Sequence, residues 1–118
     1  MFDFEKLEVY QVIKNHNIKV QKYILSKPDI DEEILARWKK ASLEILLNLA
    51  EATGRMNDAE KREYLTLSRG CVFESVAILD LLKGMGQISE DLYKDFYDGY
   101  EQESKMLLGM YRSYAAKL

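Results

Sequence analysis

Apolar residues return at three- and four-residue steps along four long stretches of this chain, and strong helix breakers fall mainly in the gaps between them. The single proline, Pro28, follows the first stretch, Gly54 follows the second, and Gly84 and Gly86 follow the third. One proline and six glycines in 118 residues argue against a loop-rich or all-β fold and for long helices.

The first stretch, residues 4–26, carries Leu7, Tyr10, Ile13, Asn17, Val20 and Ile24 on one stripe. Asn15-His16-Asn17 reads as a soft place in a continuous helix, since asparagine and histidine are poor helix formers. Pro28 then disfavours helical geometry at Lys27. Asp31 is the expected N-cap of the second helix. Its stripe is Ile34, Trp38, Ala41, Ile45, Asn48 and Ala52, widened by Leu35, Leu46 and Leu49. Gly54 is the expected stop, taking a left-handed conformation.

Asn57 and Glu60 resemble a capping box opening the third helix. Two stripes run along it: Tyr64, Ser68, Cys71, Ser75, Ile78 and Leu82, and Leu65, Val72, Val76 and Leu79. Gly70 beside the small residues suggests a close approach of a neighbouring backbone. Ser89 caps the fourth helix, where Tyr93, Phe96, Tyr100, Glu103, Leu107, Met110 and Tyr114 follow an unbroken three-four alternation with one charge inside it. Four helices of roughly 22–28 residues, joined by short connections, predict one all-α domain over residues 1–118, an antiparallel up-down-up-down four-helix bundle.

The 47% hydrophobic content is enough for one core. Seventeen basic against twenty acidic residues give a net charge of −3, and neither end is a basic arm or an acidic tail. Cys71 is the only cysteine, so no intramolecular disulfide forms and a reducing compartment fits. The N-terminus has no signal-peptide pattern, and no apolar run has membrane-spanning length. A cytoplasmic location without a membrane partner is the expectation.

Glu51, Glu74 and Glu103 fall on or beside inward stripes, as carboxylates do in di-iron bundles. Such a site needs Glu-x-x-His pairs on two helices. The chain has one histidine, His16, with no glutamate three residues before it, so no metal or cofactor is expected. Cys71, among small and apolar residues, reads as packing rather than as a nucleophile. His16, off the main stripe, reads as solvent-facing. Asn48, Glu51, Ser68 and Glu74 form the expected polar core, with Asn48 and Glu51 tying helices two and three. On that reading Asn48→Leu costs about 1–3 kcal/mol by unpairing buried partners. Arg55, four residues after Glu51, either answers it or faces a partner.

Several stretches in order resemble the bacterial four-helix bundle family of 23S rRNA intervening-sequence proteins, which is itself similar to accessory proteins of diversity-generating retroelements. They are Phe4-Glu5-Lys6-Leu7-Glu8-Val9-Tyr10, Lys39-Lys40-Ala41-Ser42, Asn48-Leu49-Ala50-Glu51 with Gly54-Arg55, and Gly70-Cys71-Val72-Phe73-Glu74. Glu44, Ala52 and Cys71 stand where the family usually has serine, glycine and serine, and Lys39-Lys40 replaces paired arginines. The resemblance implies a non-enzymatic bundle assembling as a homo-oligomer, commonly a pentamer. In retroelement members it implies binding to nucleic acid and a reverse transcriptase.

Two functions follow as expectations. One is binding of RNA or DNA through Arg37, Lys39, Lys40 and Arg55. The other is a protein-interaction scaffold using the aromatic surface of helix four, with Tyr97 and Tyr111 off its inward row, and the surplus apolar face of helix three. A bundle metalloenzyme is the remote third.

Overall fold

The computed structural model describes residues 1–115. A 3-10 turn, Asp3–Lys6, precedes four α-helices: α1 Glu8–Leu25, α2 Glu32–Gly54, α3 Asp58–Gly84 and α4 Glu90–Ala115. Each helix packs on its chain neighbours, and α1 closes the ring against α4. Short connections force neighbours antiparallel, giving the expected up-down-up-down bundle, 46 Å long.

α1 is shorter than its periodicity suggests, at 18 residues. Leu7 is extended at φ −87° and ψ 132° and separates the 3-10 turn from the helix. The Glu5 carboxylate accepts the Phe2 backbone N–H at 2.7 Å, and Phe4 packs on Tyr10 at 4.8 Å, so the turn is closed on itself. Asn15-His16-Asn17 is continuous helix. Lys27, ahead of Pro28, takes φ 55° and so leaves the right-handed helix.

The helix starts follow the side-chain chemistry. The Asp31 carboxylate accepts the N–H groups of Glu33 and Ile34, both at 3.1 Å. Asn57 Oδ1 accepts from Glu60 N–H at 2.8 Å, and Ser89 Oγ from Leu92 N–H at 3.2 Å. The stops differ from expectation. Gly54 is the last residue of α2 and is not left-handed; the chain leaves through Arg55 in an extended conformation. The left-handed glycine is Gly86, at φ 70°. Around it Gln87 N–H reaches Leu82 C=O at 2.9 Å and Gly86 N–H reaches Lys83 C=O at 3.0 Å, the paired bonds of a Schellman ending.

The core is drawn by single lines along each helix. On α3 the two candidate stripes resolve into one, Leu65, Ser68, Val72, Ser75, Leu79 and Leu82, all buried at alternating three- and four-residue steps. On α4 the buried line is Phe96, Tyr100, Glu103 and Leu107. On α2 it is Trp38, Ala41, Ser42, Ile45, Leu49 and Ala52. The α2–α3 contact is the most extensive, and α1–α4 is the thinnest of the four helix–helix seams. Gly70 points outward with open space around it, so it is not the close-approach residue. That residue is Gly99, against which the His16 ring lies so closely that a Cβ would overlap it.

The two glycines give opposite expectations. Gly54→Ala, in helical geometry with nothing near its missing Cβ, raises stability by about 0.5–1 kcal/mol. Gly86→Ala forces a side chain into the left-handed region and lowers it by about 1–2 kcal/mol. Urea unfolding of the two variants measures both.

Candidate functional site

A string of polar side chains crosses the apolar centre of the bundle. Trp38 Nε1–H on α2 donates to the Tyr100 hydroxyl on α4 at 2.9 Å, and that hydroxyl donates to Ser42 Oγ at 3.0 Å. Asn17 on α1 donates from Nδ2 to the Ser42 carbonyl at 2.5 Å, and its Oδ1 accepts from Gln21 at 3.2 Å. Ser68 on α3 donates to the Ile45 carbonyl at 2.7 Å. Burial pushes the Tyr100 phenol up to about 12, with the hydrogen bonds to Ser42 and Trp38 opposing, so the ring stays neutral.

Beside this string lies a buried acid–base pair. His16 Nδ1 is 2.6 Å from Glu103 Oε1; the histidine is 8% exposed and the glutamate 0%. Burial raises the Glu103 carboxyl above its ordinary value, and the hydrogen bond and charge of His16 pull it back only in part. The His16 ring meets Tyr100 edge-on, centroid to centroid 4.6 Å.

His16 is therefore not solvent-facing. α1 buries both His16 and Asn17, because its inward arc runs Ile13, His16 or Asn17, then Val20. A signal for this stood in the sequence. Glu103 interrupts an otherwise apolar α4 row, and a buried carboxylate needs a donor across from it.

The four residues expected as a polar core have separate fates. Ser68 is fully buried. Asn48 is half-buried, and its amide meets the Cys71 sulfur at 4.0 Å. Glu51 is half exposed and closes on Arg55 along the surface of α2. Glu74 is 34% exposed and pairs with Arg37 at 2.5 Å. The reason is rotation: beyond Ile45 the buried line steps to Leu49 and Ala52, which turns Asn48 to the edge and Glu51 outward. Asn48 and Glu51 are not the buried ties between α2 and α3; the Ser68–Ile45 bond is one.

The basic set is dispersed. Arg37 is engaged by Glu74, and Arg55 by Glu51 and by the Tyr64 hydroxyl at 2.8 Å, with its guanidinium 4.3 Å from the Tyr64 ring centre. Eighteen residues separate Arg37 from Arg55, about 27 Å of helix. Lys39 and Lys40 are exposed on α2. The backbone carbonyl of Lys39 accepts from the Gln21 amide of α1 at 3.1 Å. Arg62 and Arg69 donate to the backbone carbonyls of Tyr114 and Ser104 on α4, each at 3.3 Å. The Cys71 thiol is pushed up by burial, then by Glu44 and Glu74, the opposite of what activates a nucleophile. Among the described residues no group of three or more His, Cys, Asp or Glu side chains is arranged to hold a metal ion.

The outer face of α3 carries a row the periodicity reading passed over. Leu67, Phe73 and Leu81 are 50%, 57% and 50% exposed, with Gly70 and Ala77 exposed between them. Phe73 overlooks a groove of about 720 Å³ between α3 and α4, walled by Val76, Tyr93, Tyr97 and Lys105. Tyr97 and Tyr111 are half-buried along this side, Tyr111 in a second depression of about 410 Å³ that also touches Phe73. Leu43 and Leu47 on α2 are 40% and 52% exposed.

Two substitutions separate the buried string from the edge. Tyr100→Phe orphans the Trp38 N–H and costs about 1–3 kcal/mol. Asn48→Leu, with a weak sulfur contact to lose, changes stability by less than about 0.5 kcal/mol. Thermal or urea unfolding of each variant checks the contrast.

No helix among the described residues is long and apolar enough to cross a membrane. Among curated proteins none matches the sequence. The sequence profile of the family described as 23S rRNA-intervening sequence protein matches residues 5–109, from the 3-10 turn to the last turns of α4. The chain belongs to the 23S rRNA-intervening sequence protein family.

Proposed function

We propose that this chain is a non-enzymatic subunit that assembles with copies of itself, five in the arrangement its family resemblance implies, through the outer face of α3. The observation that carries the reading is the Leu67-Gly70-Phe73-Ala77-Leu81 row. On a monomeric bundle this would be the solvent side of the helix, yet three large apolar side chains stand half exposed along it. Gly70 and Ala77 keep the row low enough for another surface to approach. The aromatic wall of the neighbouring groove adds the residue types enriched at interface centres. A non-catalytic role is supported by the thiol and carboxyl groups with shifted affinities. Cys71 is moved away from the thiolate, and Glu103 is enclosed in the core.

A second reading keeps RNA or DNA as a partner of the assembly, with Lys39 and Lys40 as contacts. Both lysines are exposed; Arg37 is exposed too but is engaged by Glu74, and Arg55 is engaged by Glu51. Repetition around an oligomer would multiply a contact too sparse to hold phosphates in one copy. A protein partner such as a reverse transcriptase would use the α3–α4 groove instead.

Light scattering on the purified protein tests the first reading. The native chain gives a mass several times that of one subunit, and Phe73→Glu with Leu67→Glu drops it to one subunit while the helical circular dichroism persists. A native monomer at high concentration overturns it. For the second, a gel-shift series against rRNA fragments gives affinity that falls steeply with salt and is weakened by Lys39→Ala with Lys40→Ala. No shift at low salt removes nucleic acid as a partner.

A further inference from the structure

The acid–base pair lies in the thinnest helix–helix seam of the bundle. His16 reaches from α1 into α4, its ring against Gly99, its edge on Tyr100 and its Nδ1 on Glu103. One hydrogen bond joins the two groups. His16 Nε2 and Glu103 Oε2 are buried and find no partner among the described residues. We propose that this seam is a proton-controlled latch, closed while His16 and Glu103 share one proton and loosened when that proton leaves.

The physical reason is net charge in a low-dielectric place. With one shared proton the pair is neutral overall, as an ion pair or as a neutral acid and base. Without it, a full negative charge remains buried with a single hydrogen bond, and exposure of α1 and α4 to water becomes the cheaper way to solvate it. The surroundings leave the pair to itself. From α4, Asp95 and Asp98 face the groove outside His16, and each has its own lysine, Lys19 on α1 at 2.8 Å and Lys94 on α4 at 3.4 Å. Tyr100 stays neutral. α2 contributes Trp38 and Ser42, and α3 contributes Ser75 near the Tyr100 hydroxyl; none of these changes charge. Burial holds the Glu103 carboxyl above its ordinary value, so proton-linked stability is present at low pH and is lost as pH rises through the raised value. Gly99 completes the device. Any side chain there would push the ring out of the seam.

Hydrogen exchange of the intact protein, corrected for the chemical rate of amide exchange, reads the latch as pH rises above the ordinary carboxyl value. The opening constant for amides of α1 and of α4 around residues 96–103 rises by up to about tenfold per pH unit as the shared proton leaves, while α2 and α3 amides do not follow. Glu103→Gln, which keeps a hydrogen-bonding side chain but cannot lose the proton, flattens that dependence. Should this variant fail to fold, a carbon-13 titration of the Glu103 carboxyl in the native chain decides. The Glu103 carboxyl titrates above its ordinary value. A pH-independent opening constant in α1, a slope retained in Glu103→Gln, or a Glu103 carboxyl titrating alone at its ordinary value overturns the latch.

Discussion

The hydrogen bond from Trp38 to Tyr100 is the constraint on which the packing of this bundle turns. It joins the diagonal helices α2 and α4, which share no backbone contact, through the two largest fully buried side chains in the protein. Each carries a polar atom into the middle of the core, and each would be costly there alone. Because the phenol accepts from the indole and donates to Ser42, the pair is satisfied in one rotational setting of the two helices. An apolar pair of similar size would tolerate a slide or a turn of α4. This pair does not. Phe96, packed within 5.8 Å of the Trp38 ring, and Tyr23 on α1 inherit their places from it.

The same setting produces the buried His16–Glu103 pair. Glu103 is one step beyond Tyr100 on the α4 line, so orienting Tyr100 toward α2 brings the carboxylate inward. Asn17 anchors α1 to the Ser42 carbonyl, and its neighbour His16 is thereby aimed at α4. The two ends of α1's polar patch thus do different work. One satisfies backbone, and the other reaches the buried Glu103 carboxyl. The seam between α1 and α4 has little other packing, which is why its electrostatics matter there more than they would between α2 and α3.

Outside the core, the surfaces divide by helix. α2 pairs Arg37 across to Glu74 on α3 and Glu51 along itself to Arg55, while Lys39 and Lys40 are exposed. α3 turns an apolar row outward, and beside it α4 offers a groove lined with aromatic rings. A bundle of this size needs only one line of each helix for its own core, so a second apolar line on α3 is surplus to folding. The chain thus joins membership of the 23S rRNA-intervening sequence family to a surplus apolar face on α3.

The sequence alone determined the number of helices, their order and antiparallel packing, three of the four N-caps and the α4 core line. These rest on local rules: the 3.6-residue period, the preference of Asp, Asn and Ser for helix starts, and the shortness of the connections. The family was legible too, in motifs spread over α1 to α3. Only the tertiary structure decided which residues at the margins of each stripe turn inward. One residue is 100° of helix rotation, so a shift of that size exchanges Asn48 for Leu49, exposes Glu51 and buries His16. Periodicity fixes a stripe only to about that angle. The choice is made between helices, by which polar atom finds a partner across the core, and no single helix carries that information.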